Sequence, residues 1–150
     1  MGGANTIPNY TNTLSGISGV YGKLGTFAAT NTPGSRSGAA TWVDASGNFW
    51  LFGGYGLDAS NSFVSAGNLG DLWEFSPATG LWTWIDGSST AGYAGDFGAR
   101  GTPAFSNAPS GRQAAAPWID AAGNLWLLGG LGIDANGNAG YLDDLWRYTP

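Results

Sequence analysis

The sequence contains no cysteine and no histidine. That excludes disulfides, zinc sites built from Cys and His, haem held by His, and catalysis by Ser-His-Asp or Cys-His groups. Charge is scarce too: only 10% of residues are charged, against about a quarter in ordinary globular chains. The five bases, Lys23, Arg36, Arg100, Arg112 and Arg147, are scattered along a chain of net charge −5. No basic patch is available for phosphate backbones, so neither nucleic acid nor an anionic membrane is an expected partner. No apolar run approaches the roughly 20 residues of a membrane span. Met1-Gly2-Gly3 does not read as an export leader and resembles an added start. An exported bacterial chain, secreted or periplasmic, and an engineered one would both lack cysteine in this way. The compartment stays open.

What is abundant is glycine, 27 of 150 residues, and aromatic residues, with 8 Trp, 7 Phe and 6 Tyr. Glycine weakens helices, whereas aromatics favour pleated surfaces. Short strands joined by many turns fit this composition, and the surface must be covered by Ser, Thr, Asn and Gly.

The chain repeats itself. Asn48-Phe49-Trp50-Leu51-Phe52-Gly53-Gly54 recurs as Asn124-Leu125-Trp126-Leu127-Leu128-Gly129-Gly130, 76 residues later. Each copy is an apolar run ended by two glycines. An unbroken apolar run suggests a strand covered on both faces. The glycine pair suggests a departure from the sheet through backbone angles that larger residues avoid. At the same offset Tyr21-Gly22 meets Phe97-Gly98, Asn31 meets Asn107, Arg36 meets Arg112, and Trp42-Val43-Asp44 meets Trp118-Ile119-Asp120. The offset then falls to 73, so that Asp71-Leu72-Trp73-Glu74-Phe75-Ser76-Pro77 pairs with Asp144-Leu145-Trp146-Arg147-Tyr148-Thr149-Pro150.

Four strands are expected per copy. In the first copy strand A is residues 36–44, strand B 48–52, strand C 71–76 and strand D 81–85. The A–B turn (Ala45-Ser46-Gly47) and the C–D turn (Pro77-Ala78-Thr79-Gly80) are short. The B–C and D–A connections are long. In an up-and-down sheet the short turns share one end and the long loops the other, where function usually resides.

An Arg, small residues, an apolar strand ending Gly-Gly, an aromatic strand ending in Pro, then Trp-x-Trp: this order resembles the kelch repeat. The resemblance covers Arg36–Ile85 and Arg112–Pro150. It implies an all-β fold, a kelch-type β-propeller in which each repeat is one four-stranded blade. The repeat here is about 75 residues long, where kelch repeats have about 50. In its long loops the chain is similar to bacterial proteins that resemble the central domain of galactose oxidase. That enzyme's activity needs a copper site with histidines and a cysteine-linked tyrosine, so the activity does not come with the resemblance.

The expected layout is an N-terminal segment over 1–35, a first blade over 36–85, a long D–A loop over 86–111, and a second blade over 112–150 without its outer strand. Two blades cannot close a propeller, which needs about 4–8. The chain is therefore expected to assemble head to tail with itself, as a trimer of six blades or, second, a tetramer of eight. Residues 5–11 would serve as the outer strand of a neighbouring chain's last blade.

Arg36 and Arg112 begin the innermost strands; bonding from guanidinium to loop carbonyls is the preferred reading, and an anion or carboxylate site at the channel mouth is the other. Trp50, Trp126, Trp73, Trp146, Trp82 and Trp84 read as packing between blades, and Gly53, Gly54, Gly129 and Gly130 as structural. Tyr55, Tyr93, Phe97 and Tyr141, with Asp96 and Arg100, are the loop residues suited to a sugar. Asp134-Ala135-Asn136-Gly137-Asn138 spaces oxygen side chains as a calcium loop opens, but Asx-turns explain it as well. Asp143-Asp144 are strand neighbours that point to opposite faces and make a poor acid–base couple. No catalytic residue, cofactor or metal is expected. The functions compatible with this sequence are a non-enzymatic self-assembling scaffold, a carbohydrate- or peptide-binding module, and, least well supported, a carboxylate-dependent enzyme.

Overall fold

The computed structural model describes Thr6, residues 16–60 and residues 66–150. The expected outer strand at 5–11 lies, Thr6 aside, outside the described residues. The described chain is all-β, with every strand pairing antiparallel. Among the described residues eleven strands form: β1 (Arg36–Ser37), β2 (Ala40–Val43), β3 (Phe49–Phe52), β4 (Tyr55–Gly56), β5 (Gly67–Asn68), β6 (Asp71–Ser76), β7 (Leu81–Gly87), β8 (Arg112–Gln113), β9 (Ala116–Ile119), β10 (Leu125–Ile133) and β11 (Ala139–Tyr148).

They make three sheets. The N-terminal sheet runs β2-β3-β6-β7, the order expected of strands A to D, but the expected strand A over 36–44 is split: Arg36–Ser37 pairs as β1 in another sheet, and only Ala40–Val43 joins this one. A small sheet runs β1-β4-β5. The C-terminal sheet runs β11-β10-β8, with β9 also paired to β10. Both central hairpins keep tryptophan opposite tryptophan: Trp42 faces Trp50, and Trp118 faces Trp126.

The hairpin turns are built by aspartates. Asp44 Oδ1 accepts the amides of Ser46 and Asn48, and its Oδ2 accepts the Trp50 indole at 2.9 Å. Asp120 repeats this with Ala122, Asn124 and the Trp126 indole at 2.8 Å. One carboxylate thus closes a turn and orients the tryptophan of the next strand.

Two expectations need correction. The glycine pair ends the strand in the first copy, where β3 stops at Phe52 and β4 joins another sheet, but not in the second, where β10 passes straight through Gly129 and Gly130 with a bulge between Leu128 and Gly130. Gly53 (φ 65°) and Gly54 (φ 97°) do hold left-handed angles, as do Gly129 and Gly130 (φ 61° and 105°). A bulge with positive φ bends the strand without releasing it. The long B–C loop is consequently shorter in the second copy, where β10 and β11 extend toward each other. Nor are the apolar runs covered on both faces. On β3, Trp50 and Phe52 are buried while Phe49 is exposed.

The core lies between the two larger sheets. Ala40, Trp42, Trp50, Phe52 and Leu72 from one pack against Leu125 and Leu127 of the other, flanked by Ile119, Trp146 and Tyr148. The Trp42 indole crosses the gap and donates to the carbonyls of Trp118 and Trp126, each at 3.1 Å. Nearer the inner strands, the Gly54 amide donates to the Arg112 carbonyl at 2.8 Å and the Ala114 amide to the Gly38 carbonyl at 2.8 Å.

Candidate functional site

Each repeat encloses one arginine–aspartate cluster. In the first, Arg36 meets Asp71 through two bonds, Nη1 to Oδ1 at 2.6 Å and Nη2 to Oδ2 at 2.7 Å. Its Nε donates to the Gly34 carbonyl and Nη1 also to the Gly53 carbonyl. Asp71 Oδ2 further accepts the Tyr21 hydroxyl and the Trp73 indole, both at 2.7 Å. Burial, then the Asp71 charge, pushes the Tyr21 hydroxyl pKa up.

The second cluster has Arg112 gripping Asp144 with both terminal nitrogens, while the Trp146 indole donates to Asp144 at 2.7 Å. The remaining Arg112 donors go to the Ser110 carbonyl, the Gly129 carbonyl and the Ser110 hydroxyl. All five N–H groups are used. Phe97 stands where Tyr21 stood, and Ser110 where Gly34 stood. The Tyr21 hydroxyl donates to the carboxylate of the first cluster, whereas the Ser110 hydroxyl accepts from the guanidinium of the second. Burial raises the Asp144 carboxyl pKa, but the bonds from Arg112 and Trp146 outweigh it and hold the group low.

Arg36 and Arg112 are therefore placed inside walls of their own repeat, and their guanidinium groups are turned to internal acceptors. Each guanidinium bonds to carbonyls and, in addition, to both oxygens of an aspartate. Sequence reasoning missed the partners, Asp71 and Asp144, and with them Tyr21. The available signal was that an aspartate, like the arginine, recurs at an equivalent place in both repeats.

The loop aromatics do not converge. Phe97 is half-buried against Trp146, with ring centroids 5.4 Å apart. Arg100 is exposed and, with Phe97, lines a groove beside β11. Tyr55 lies in the small sheet, Tyr93 is half-buried, Asp96 is exposed and bridges to Ala108, and Tyr141 stands 92% exposed at the start of β11. A cavity of about 70 Å³ between the two large sheets is lined by Trp42, Leu72, Leu127 and Tyr148. It is far below the roughly 300–1,000 Å³ of ligand pockets. The Asp134 loop spends its carboxylate on the amides of Asn136 and Asn138, as an Asx-turn does. Among the described residues no group of three or more acidic side chains is placed to hold a metal.

The chemistry on offer is apolar and lies on two open sheet faces. The face of the N-terminal sheet that meets the C-terminal sheet carries Trp42, Trp50, Phe52 and Leu72. The corresponding face of the C-terminal sheet carries Trp118, Trp126, Leu128 and Leu145, and nothing among the described residues covers it. Trp42 is 7% exposed and Trp118 41%; Leu72 is 6% exposed and Leu145 54%. The opposite face repeats the pattern. Leu125 is 2% exposed under the N-terminal sheet, whereas its counterpart Phe49 is 47% exposed on the far side. Val43 and Phe75 share that side; the Phe49 and Phe75 rings lie parallel, with centroids 6.1 Å apart.

No protein-family model matches the chain, and no curated protein matches its sequence.

Proposed function

We propose that this chain is a non-enzymatic scaffold module that assembles with itself head to tail, in the manner of a kelch-type propeller whose blades are its two larger sheets. The observation that carries this is the pair of open faces. One is the counterpart of the face buried on one side of the internal interface; the other is the counterpart of the face buried on the opposite side. The internal interface is thus a template for an external one. A heterologous contact of this kind either closes into a ring or propagates. Three chains would give six blades and four would give eight.

The template assigns contacts. The Trp118 indole would donate to the carbonyls of Trp42 and Trp50 in the next copy, as Trp42 does to Trp118 and Trp126. The Gly130 amide would reach the carbonyl of the next Arg36. Large exposed apolar faces of this kind mark association surfaces. Arg147 stands where Glu74 stands in the first repeat, with its guanidinium 5.8 Å from the Trp126 ring centre. It would face Phe75 of the next copy, a pairing of a cation with an aromatic face.

Native mass spectrometry tests the reading. The wild-type chain should appear at about three times 15.3 kDa, or four times for the larger ring. Leu145→Lys places a charge in the middle of the open face and should return the species to a single chain. A wild-type chain that remains single at 50 µM, with a cooperative melt, would sink the proposal.

A further inference from the structure

The arginine–aspartate cluster of the first repeat holds more than an ion pair. One carboxylate oxygen, Asp71 Oδ2, accepts both the Tyr21 hydroxyl and the Trp73 indole N–H, each at 2.7 Å. The two rings lie against each other, with centroids 4.8 Å apart. Both are buried, at 6% and 0% exposure. Burial, then the Asp71 charge, pushes the Tyr21 hydroxyl pKa up, so the phenol keeps its proton at neutral pH. Phenol and indole are the aromatic side chains that give up one electron most readily. Here they touch, and they share one proton acceptor.

Two tryptophans of β7 connect this pair to the surface. Trp82 is half-buried, and its ring meets Trp73 edge-on at 6.3 Å. Trp84 is also half-buried and meets Tyr21 edge-on at 5.2 Å. The Trp84 indole donates to the Asp86 carbonyl at 2.8 Å, and a backbone carbonyl does not take up a proton. The second repeat repeats the carboxylate and one indole but lacks the phenol. The Trp146 indole donates to Asp144 at 2.7 Å, while Phe97 fills the place of Tyr21, its ring 5.4 Å from Trp146. The arginine–aspartate clamp is therefore built without a phenol in one repeat, so the Tyr21 hydroxyl is separable from it.

We infer that Tyr21 is a one-electron sink for the tryptophans around it, taking up oxidation delivered at Trp82 or Trp84 by a diffusing one-electron oxidant such as the carbonate radical anion. The oxidant removes one electron from an indole ring and is itself reduced. An electron from Trp73 refills Trp82, and one from Tyr21 refills Trp73 or Trp84. As Tyr21 gives up its electron, its O–H bond breaks and the proton passes to Asp71 Oδ2, which already lies at hydrogen-bond distance. An oxidised phenol is a far stronger acid than a carboxylic acid, so the proton moves even to a carboxylate gripped by Arg36. The products are a neutral phenoxyl radical, a neutral Asp71 carboxyl and restored tryptophans. A one-electron reductant from solution, such as ascorbate, later returns the electron, and Asp71 returns the proton. All of these residues surround one sheet of a single chain, so the inference does not rest on assembly.

The test photo-oxidises the full chain with a ruthenium tris-bipyridyl sensitiser and persulfate, and follows the radicals by transient absorption and rapid-freeze electron paramagnetic resonance. In the wild type a phenoxyl signal should rise as a tryptophanyl signal decays, and the rise should be slower in heavy water. Tyr21→Phe should lose most of the phenoxyl signal and hold the tryptophanyl signal instead, with its cooperative thermal transition retained, since the second cluster is built around Phe97. Peptide mass mapping after steady illumination gives a second readout. Oxidation of Trp73, Trp82 and Trp84 should rise severalfold in Tyr21→Phe, while that of Trp146 stays as it was. A hydroxyl with a structural role alone would move neither readout. A phenoxyl signal undiminished in Tyr21→Phe, equal tryptophan oxidation in the two proteins, or a wild-type phenoxyl that forms without a tryptophanyl precursor overturns the inference.

Discussion

The arginine–aspartate cluster of the first repeat offers the sharpest perturbation. Asp71 is fully buried, and the Arg36 side chain is only 6% exposed. The carboxylate accepts four bonds: two from Arg36, one from the Tyr21 hydroxyl and one from the Trp73 indole. Asp71→Ala strips all four donors at once. Leaving one member of a buried ion pair alone costs about 3–5 kcal/mol. The orphaned hydroxyl and indole would each cost about 1–3 kcal/mol if isolated. They share one acceptor with the arginine, so these figures do not add. A net loss of about 4–6 kcal/mol is expected from these terms. Against a typical total stability of about 5–15 kcal/mol that is a large fraction. Urea unfolding followed by tryptophan fluorescence, at fixed protein concentration, measures it. The double variant Arg36→Met/Asp71→Ala should recover about 2 kcal/mol, because no charge is then stranded. Tyr21→Phe should cost only about 1 kcal/mol, since the second cluster is already built with Phe97. If Asp71→Ala unfolds within 1 kcal/mol of wild type, or the double variant is no better than the single, the cluster is not the anchor argued for.

Three other outcomes follow from the structure. Gly53→Val/Gly54→Val should abolish the cooperative transition. Both residues have positive φ, and an added Cβ would come within 2.5 Å of the Arg112 carbonyl at Gly53 and 2.7 Å of the Ser37 carbonyl at Gly54. Ala114→Gly should stabilise: Ala114 holds φ 55°, where the first repeat places Gly38 at φ 66°. Relief of about 1–2 kcal/mol of left-handed strain exceeds the added freedom of the unfolded chain, and the melting temperature should rise by a few degrees. Acid should unfold the protein between about pH 4 and pH 2. Hydrogen bonds from Asn124 and Trp126 hold the Asp120 carboxyl down to about 2, and Asp44, Asp58, Asp134 and Asp144 are also held low. Folded-state values below the unfolded value of about 3.9 give stability that is present above pH 4 and lost as pH falls toward the folded values. A pH titration of circular dichroism with no transition above pH 2 would contradict this.

The repeat, the strand order within it and the turn positions were legible in the sequence alone. They depend on local signals: glycine and Asx chemistry at turns, aromatic alternation along strands, and a 76-residue self-match. Strand limits were less legible. The Gly129-Gly130 bulge keeps β10 in its sheet because neighbouring strands supply hydrogen bonds that no local propensity reveals. The partners of Arg36 and Arg112 lie 35 and 32 residues away, and spacing does not say which of several aspartates comes near. Nor could composition say that Trp42 is buried and its twin Trp118 exposed. Both occupy the same place in equivalent hairpins. Only the tertiary structure decides, because burial depends on whether another sheet stands in front, and among the described residues one stands before Trp42 and none before Trp118.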